Sequence, residues 1–268
     1  YKDVRAPNGF ELGTYGAGQI PGANPTAGVD LMQMFTGLTY SRKINETASW
    51  GVTAIWALAR FKATGLATFG GFSTDPSNLT DNGYSMSNGF GAKIGISGEV
   101  APGLSLGASY QSKISMQEFD EYAGLFAEQG GFDIPSSWTI GAAFKPSPQH
   151  AILFDIQGIN YEDVDAISNP MLPNLFQCFG GDPSSCLGGS NGPGFGWENM
   201  TVFHLGYQYD AGDWQARAGF ATGDQPVPDS EVLFNILAPA TVQKHLTLGF
   251  TFSPDRNSEW NFAYMHAF

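Results

Sequence analysis

From Gly103 to Gln111 the chain alternates: Leu104, Leu106, Ala108 and Tyr110 fall on one face of an extended segment, Ser105, Gly107, Ser109 and Gln111 on the other. Successive side chains of a β-strand point to opposite faces, so this pattern predicts a strand with one apolar and one polar face. The pattern recurs at 90–97, 138–145, 152–158, 203–209, 214–220, 246–252 and 260–268, with His266 out of character in the last. Segments near 30–42 and 50–63 are strand-like but less regular. The chain thus predicts about ten strands and no amphipathic helix of ordinary length.

The connections predicted between these strands alternate short and long. Short ones fall near 43–49, Ala101-Pro102-Gly103, Pro146–Gln149, Ala211-Gly212 and Pro254–Ser258; long ones near 66–88, 119–133, 163–197 and 222–241. A soluble β-sandwich also alternates along its strands. Three features favour instead an all-β, transmembrane antiparallel β-barrel. The polar faces carry Gly, Ser, Thr and Gln rather than Lys and Glu. The strands run about ten residues, against about five or six in soluble sheets. The aromatics gather near strand ends, as interfacial girdles do.

Short turns on one side and long loops on the other match an outer-membrane barrel. The first strand follows a long segment, 1–28, and so starts outside. Ten strands from there leave Phe268 outside as well. Such barrels normally begin and end in the periplasm, so residues 1–268 read as an internal part of one larger barrel domain, lacking strands at both ends.

Composition narrows the classes. Of 268 residues, 42% are hydrophobic, 14% aromatic and only 14% charged, and 35 are Gly. That aromatic content excludes a disordered chain. Mean hydropathy is −0.14, and no run approaches 18 apolar residues, which excludes helical spans. The formal charge of −13 argues against nucleic acid as a partner.

Catalytic signals are weak. Gly103-Leu104-Ser105-Leu106-Gly107 matches the G-x-S-x-G elbow of hydrolases but lies within an alternating strand, not at a strand-to-helix turn. No metal-ligand spacing links the four histidines, and no cofactor motif is present. His204 and His245 fall on polar strand faces that would line the lumen. Of the strand charges, Lys93, Lys113, Asp155 and Arg217 share that polar face and Lys244 does not. The four could pair with one another or hold a substrate carboxylate. Cys178 and Cys186, eight apart in a polar loop, would close a small disulfide ring in an oxidising compartment.

The loops are less polar than water-facing loops should be. One begins with Leu66, Phe69 and Phe72; another holds Phe119, Tyr122, Leu125, Phe126 and Phe132. Two apolar loops on one rim either pack on each other or form a groove for an apolar ligand, which detergent or lipid tails could also occupy.

Several stretches carry a family resemblance. They are Pro102-Gly103-Leu104-Ser105-Leu106-Gly107-Ala108-Ser109-Tyr110-Gln111-Ser112-Lys113, Gly130-Gly131-Phe132-Asp133-Ile134-Pro135, Asn199-Met200-Thr201-Val202-Phe203-His204-Leu205-Gly206-Tyr207 and Phe234-Asn235-Ile236-Leu237-Ala238-Pro239-Ala240. In order and spacing, from about Val29 onward, the chain resembles the FadL family of outer-membrane transporters of long-chain fatty acids and other hydrophobic compounds. The resemblance implies a fourteen-stranded monomeric barrel with an N-terminal hatch, this chain supplying its fourth to thirteenth strands. It also implies that the two apolar loops form an outer substrate groove, and that solute leaves sideways through the wall.

The reading reached is passive uptake of long-chain fatty acids or other hydrophobic compounds, hydrocarbons included, across a bacterial outer membrane rich in lipopolysaccharide, without catalysis. The alternative is a water-filled porin for small polar solutes. An outer-membrane enzyme or adhesin is a third class that no motif supports.

Overall fold

The computed structural model describes residues 4–5, 11–12, 20–24, 26–255 and 258–268. After a small pair, β1 (Val4–Arg5) and β2 (Glu11–Leu12), the chain forms one antiparallel sheet. Its long strands are β3 (Gly28–Lys43), β4 (Ala48–Thr64), β5 (Ser85–Ala101), β6 (Leu104–Gln111), β8 (Ser136–Ser147), β9 (His150–Asn160), β10 (Met200–Asp210), β11 (Trp214–Gly223), β12 (Lys244–Asp255) and β13 (Ser258–Ala267). Each pairs with its neighbour in chain order, and the two-residue β7 (Ser115–Met116) adds to β5. The ten strands expected from alternation are the ten long strands observed.

Register carries each face across the sheet. Leu106 opposes Ala142, Phe154 opposes Leu205, Leu205 opposes Phe220, and Phe220 opposes Leu246. This gives one continuous apolar surface. Leu106, Phe154, Leu205, Phe220 and Phe250 on it are all 41–55% exposed. The buried apolar residues lie elsewhere, mostly in the long loops and on one half of β4. A soluble sandwich hides its strand residues between sheets. Here the strands show theirs outward and the loops hold the core, as a wall facing lipid requires.

β4 explains why its segment looked irregular. Its outer face is apolar from Trp50 to Leu58, and its inner face turns apolar toward the loop end. Outward are Val52 and Trp56; inward are Ile55, Ala57, Ala59, Phe61 and Ala63, all buried. Loops cover that inner face, so it has no reason to be polar.

The long connections (65–84, 112–135, 161–199 and 224–243) share one end of the sheet. The short ones share the other. Residues 256–257 of the turn expected at 254–258, and most of segment 1–28, lie outside the described residues. One expectation needs correction. The third long loop contains a nine-residue helix, Met171–Phe179, with Met171, Asn174 and Leu175 buried. Pro173 sits in its first turn, where proline is tolerated.

Candidate functional site: the loop rim and the cavity beneath it

The rim is built from aromatic side chains on loops far apart in sequence. Phe61, on the inner face of β4, is its hub. Its ring lies 4.9 Å from Tyr122, 4.8 Å from Phe126 and 5.5 Å from Phe119, centroid to centroid. Phe126 reaches on to Phe132 at 4.8 Å. Tyr122 is fully buried, and its hydroxyl donates to the Gly83 carbonyl at 2.6 Å. Burial pushes the Tyr122 phenol above its ordinary pKa.

The second loop enters the curl of the sheet because glycines admit it. A Cβ on Gly91 would stand 2.6 Å from Ile114, and one on Gly89 would stand 2.3 Å from the Ser115 carbonyl oxygen. Buried Ser85 and Ser87 on β5 then bind the crossing chain, donating to the Glu121 carboxylate and the Gln117 carbonyl.

A clasp joins three of the loops. The Leu187 carbonyl accepts from the Thr74 amide at 2.9 Å, and the Leu187 amide donates to Phe72 at 2.8 Å. The carbonyls of Gly189 and Gly188 accept from the amides of Glu128 and Gln129. These two residues hold left-handed backbone at φ 57° and 59°, which costs an ordinary side chain free energy. The Cys178–Cys186 disulfide closes the loop that carries Leu187, with Cα atoms 4.9 Å apart. Within it Asp182 accepts from Ser184 and Ser185, hydrogen bonds that hold its carboxyl below the usual range.

Under this roof lies a cavity of about 430 Å³. Its apolar lining comes chiefly from Leu31, Phe61, Phe126, Phe132, Phe195 and Trp197. Its polar lining includes Gln33, Gln111, Ser137 and Gln157 on inward strand positions. A second pocket of about 30 Å³, between Phe61, Leu66, Leu125, Phe126 and Phe234, is almost wholly apolar. Nearer the short turns the inner face is polar, with Thr39, Ser49, Thr53, Lys93, Ser97 and Asp155 around a void of about 600 Å³.

The expected residues therefore separate. Leu66, Leu125 and Phe126 line the small pocket, and Phe126 and Phe132 the larger one. Phe69, Phe119 and Tyr122 are buried in the loop core, and Phe72 packs against it. These four line neither cavity and instead hold the roof in place. Asp155 Oδ1 pairs with His204 Nδ1 at 2.7 Å. Arg217 binds Gln208, Gln215 and Thr251, and with Lys93 occupies an inward position. His245 follows the same inward parity, opposite Ala221 and Ala267. Lys113 departs from expectation. It lies beyond the end of β6 at the rim, 3.1 Å from Asp133 and 3.2 Å from the Asp163 carbonyl. Alternation persists past Gln111 in sequence but the strand does not.

Alternation missed Phe61, Phe195 and Trp197. Phe61 was legible as an apolar residue on a face expected to be polar. Phe195 and Trp197 lie in a Gly-rich stretch, 188–197, with no period to read.

An open antiparallel wall with apolar exterior, short turns at one end and an apolar loop roof at the other has the architecture of part of an outer-membrane β-barrel. The chain belongs to the outer membrane protein transport protein (OMPP1/FadL/TodX) family, whose model matches residues 4–268. Among solved structures it is similar to the toluene transporter TodX of Pseudomonas putida, at 17% identity and TM-score 0.58, over 88% of this chain and 64% of that one. It is similar to the toluene transporter TbuX of Ralstonia pickettii, at 15% identity and TM-score 0.58, over 90% and 63%. A FadL homologue of Pseudomonas aeruginosa gives 14% and 0.60, over 90% and 60%. The chain thus spans less than two thirds of the length of these relatives. No curated protein sequence matches it.

Proposed function

We propose that the chain forms the wall and outer rim of a bacterial outer-membrane channel for passive uptake of hydrophobic compounds. The observation that carries this reading is the cavity under the roof, lined by Leu31, Phe61, Phe126, Phe132, Phe195 and Trp197. Its volume falls within the range of small-molecule sites, which are mostly apolar with a few placed polar groups. The glutamines on its wall can orient a polar end, such as a carboxyl group.

Binding is driven by desolvation. A buried methylene is worth about 0.8 kcal/mol, roughly fourfold in affinity. The lumen below is polar, so a hydrophobic solute has reason to leave the cavity through the wall toward lipid rather than through the lumen. Toluene and fatty acids both suit the cavity's apolar lining, and the polar end decides between them.

A porin reading draws on the Ser- and Thr-rich lower lumen. The roof argues against it, because Phe119, Tyr122 and Phe126 fold onto the inner face of β4, where a porin needs open water. Titration of the purified protein with saturated fatty acids and with alkylbenzenes of increasing chain length tests the proposal. Affinity should climb about three- to fivefold per carbon and then level off as the cavity fills. Affinity independent of chain length would overturn it.

A further inference from the structure

The outer surface of the wall carries a charged cluster that transport does not use. Along β4 the outward residues run Trp50, Val52, Ala54, Trp56 and Leu58, and then Arg60 and Lys62. Arg60 opposes Met32 and Met86 on its neighbours, and Lys62 opposes Asp30. At the other end Tyr40 and Trp50 form an edge-on pair, centroids 6.0 Å apart, with Arg42 opposite Trp50. Arg60 lies ten residues beyond Trp50 on the strand. At about 3.3 Å per residue and a tilt of about 40°, this separates them by about 25 Å along the membrane normal, the height of an apolar barrel belt. The belt ends at Arg60, and Lys62 stands just above it, on the side of the long loops.

The two cations are held together. The Arg60 guanidinium carbon lies 4.2 Å from the centre of the Tyr84 ring, and Lys62 Nζ lies 5.5 Å from the same centre. One aromatic ring thus gathers two positive charges that would otherwise repel. Asp30 offsets only part of this. Its carboxylate accepts from the Tyr84 hydroxyl at 2.6 Å and stands 3.7 Å from Arg60, a loose pair. That bond holds the Tyr84 phenol above its ordinary pKa. Among the described residues, no carboxylate lies within 4.0 Å of Lys62, and the buried Arg60 Nε has no hydrogen-bond partner. The cluster is net positive on a chain of net charge −13.

We propose that Arg60, Lys62 and Tyr84 form a binding site for the phosphate of a phosphorylated lipid headgroup in the outer leaflet. Arginine and lysine are the usual phosphate donors, and Met32 and Met86 flanking Arg60, with Leu58 beneath it, would meet the acyl chains of the same lipid. The site's depth in the leaflet rests on the outer-membrane reading above, but its ligand is independent of the transported solute.

The test is binding of a diacylated glucosamine lipid, with and without its phosphate, to the purified protein in neutral detergent micelles at 0.15 M salt, read by native mass spectrometry. The wild type should prefer the phosphorylated lipid at least tenfold. Arg60→Gln/Lys62→Gln should remove the preference, Lys62→Gln alone should lower it at least threefold, and Arg42→Gln/Lys43→Gln, at the opposite end of the wall, should leave it intact. The proposal is overturned if Lys62→Gln and the double variant both keep the wild-type preference, or if the Arg42 and Lys43 variant loses as much. Inorganic phosphate that fills the site at the same concentration would also overturn it, by showing a free-anion site. Alkylbenzene affinity should be unchanged in every variant. Were chain-length dependence absent while the phosphate preference held, the transport reading alone would fall.

Discussion

Phe126 is a loop side chain that belongs to the core and lines both cavities, so Phe126→Ala perturbs support and binding together. The ring is 6% exposed and packs within 4.8 Å of Phe61 and of Phe132, with Phe119 at 6.2 Å. Truncating a buried Phe typically costs about 3–5 kcal/mol. Here the low end applies, because the ring already borders empty space and its loss enlarges an existing cavity rather than opening a new one. The two close aromatic pairs account for about 1–3 kcal/mol of that. For the bound solute, losing one wall exposes on the order of 50 Å² of apolar contact, about 1.3 kcal/mol, or roughly tenfold in affinity. Fluorescence titration with an alkylbenzene checks this, alongside thermal unfolding in detergent. Phe126→Leu should restore most of the stability and part of the affinity. Phe69→Ala serves as the contrast, since Phe69 is buried against Phe234 but lines neither cavity. It should lower stability without a comparable loss of affinity. If Phe126→Ala and Phe69→Ala weaken ligand binding equally, the cavity is not the site and the reasoning fails.

Leu205→Arg, in the middle of the apolar exterior where Leu205 is 55% exposed, should destabilise the protein folded in a bilayer by about 2–4 kcal/mol, and urea refolding into vesicles would measure it. Replacing Cys178 and Cys186 with Ser should cost about 2.5 kcal/mol of local loop stability, seen as faster proteolysis between 165 and 195 with the sheet intact. Gly124→Ala places a Cβ 1.9 Å from the Asp75 carbonyl oxygen, so the roof should loosen by several kcal/mol, read as amide exchange at Tyr122 and Leu125. Asp75 and Asp182 have carboxyls held low by hydrogen bonds from Ser77 and Asn78 and from Ser184 and Ser185. Their contribution is full above the unfolded value near 4 and is lost as pH falls through the lower folded values. Loop proteolysis by an acid-active protease should therefore accelerate only below about pH 4, and acceleration between pH 7 and 5 would contradict this.

The wall was legible in the sequence because lipid on one side and water on the other impose a period of two on every strand. Leu104 to Gln111 shows it cleanly. β4 shows it least, since Phe61 and its inward neighbours face loops instead of water. The rim was legible as composition but not as arrangement. Phe119 and Phe126 stand in the same apolar loop, yet the first became core and the second cavity wall. That outcome depends on Gly89 and Gly91 letting the loop cross inward, and on the left-handed pair Glu128–Gln129 being held by Gly188 and Gly189. Contacts between residues about 60 and about 115 apart in sequence leave no periodic trace. Lys113 was misplaced because charge parity continues beyond the strand's last hydrogen bond.

The central claim is that this chain belongs to a conduit for apolar rather than polar solutes. Its most direct test is flux into proteoliposomes of lipopolysaccharide-containing asymmetric membranes, comparing alkylbenzenes and long-chain fatty acids with a pentose and a small amino acid under identical protein density. The account predicts faster entry of the apolar solutes over protein-free vesicles, reduced by Phe126→Ala, with no change for the polar ones. Rapid pentose or amino-acid entry that Phe126→Ala leaves untouched, with apolar flux at the protein-free level, would contradict it.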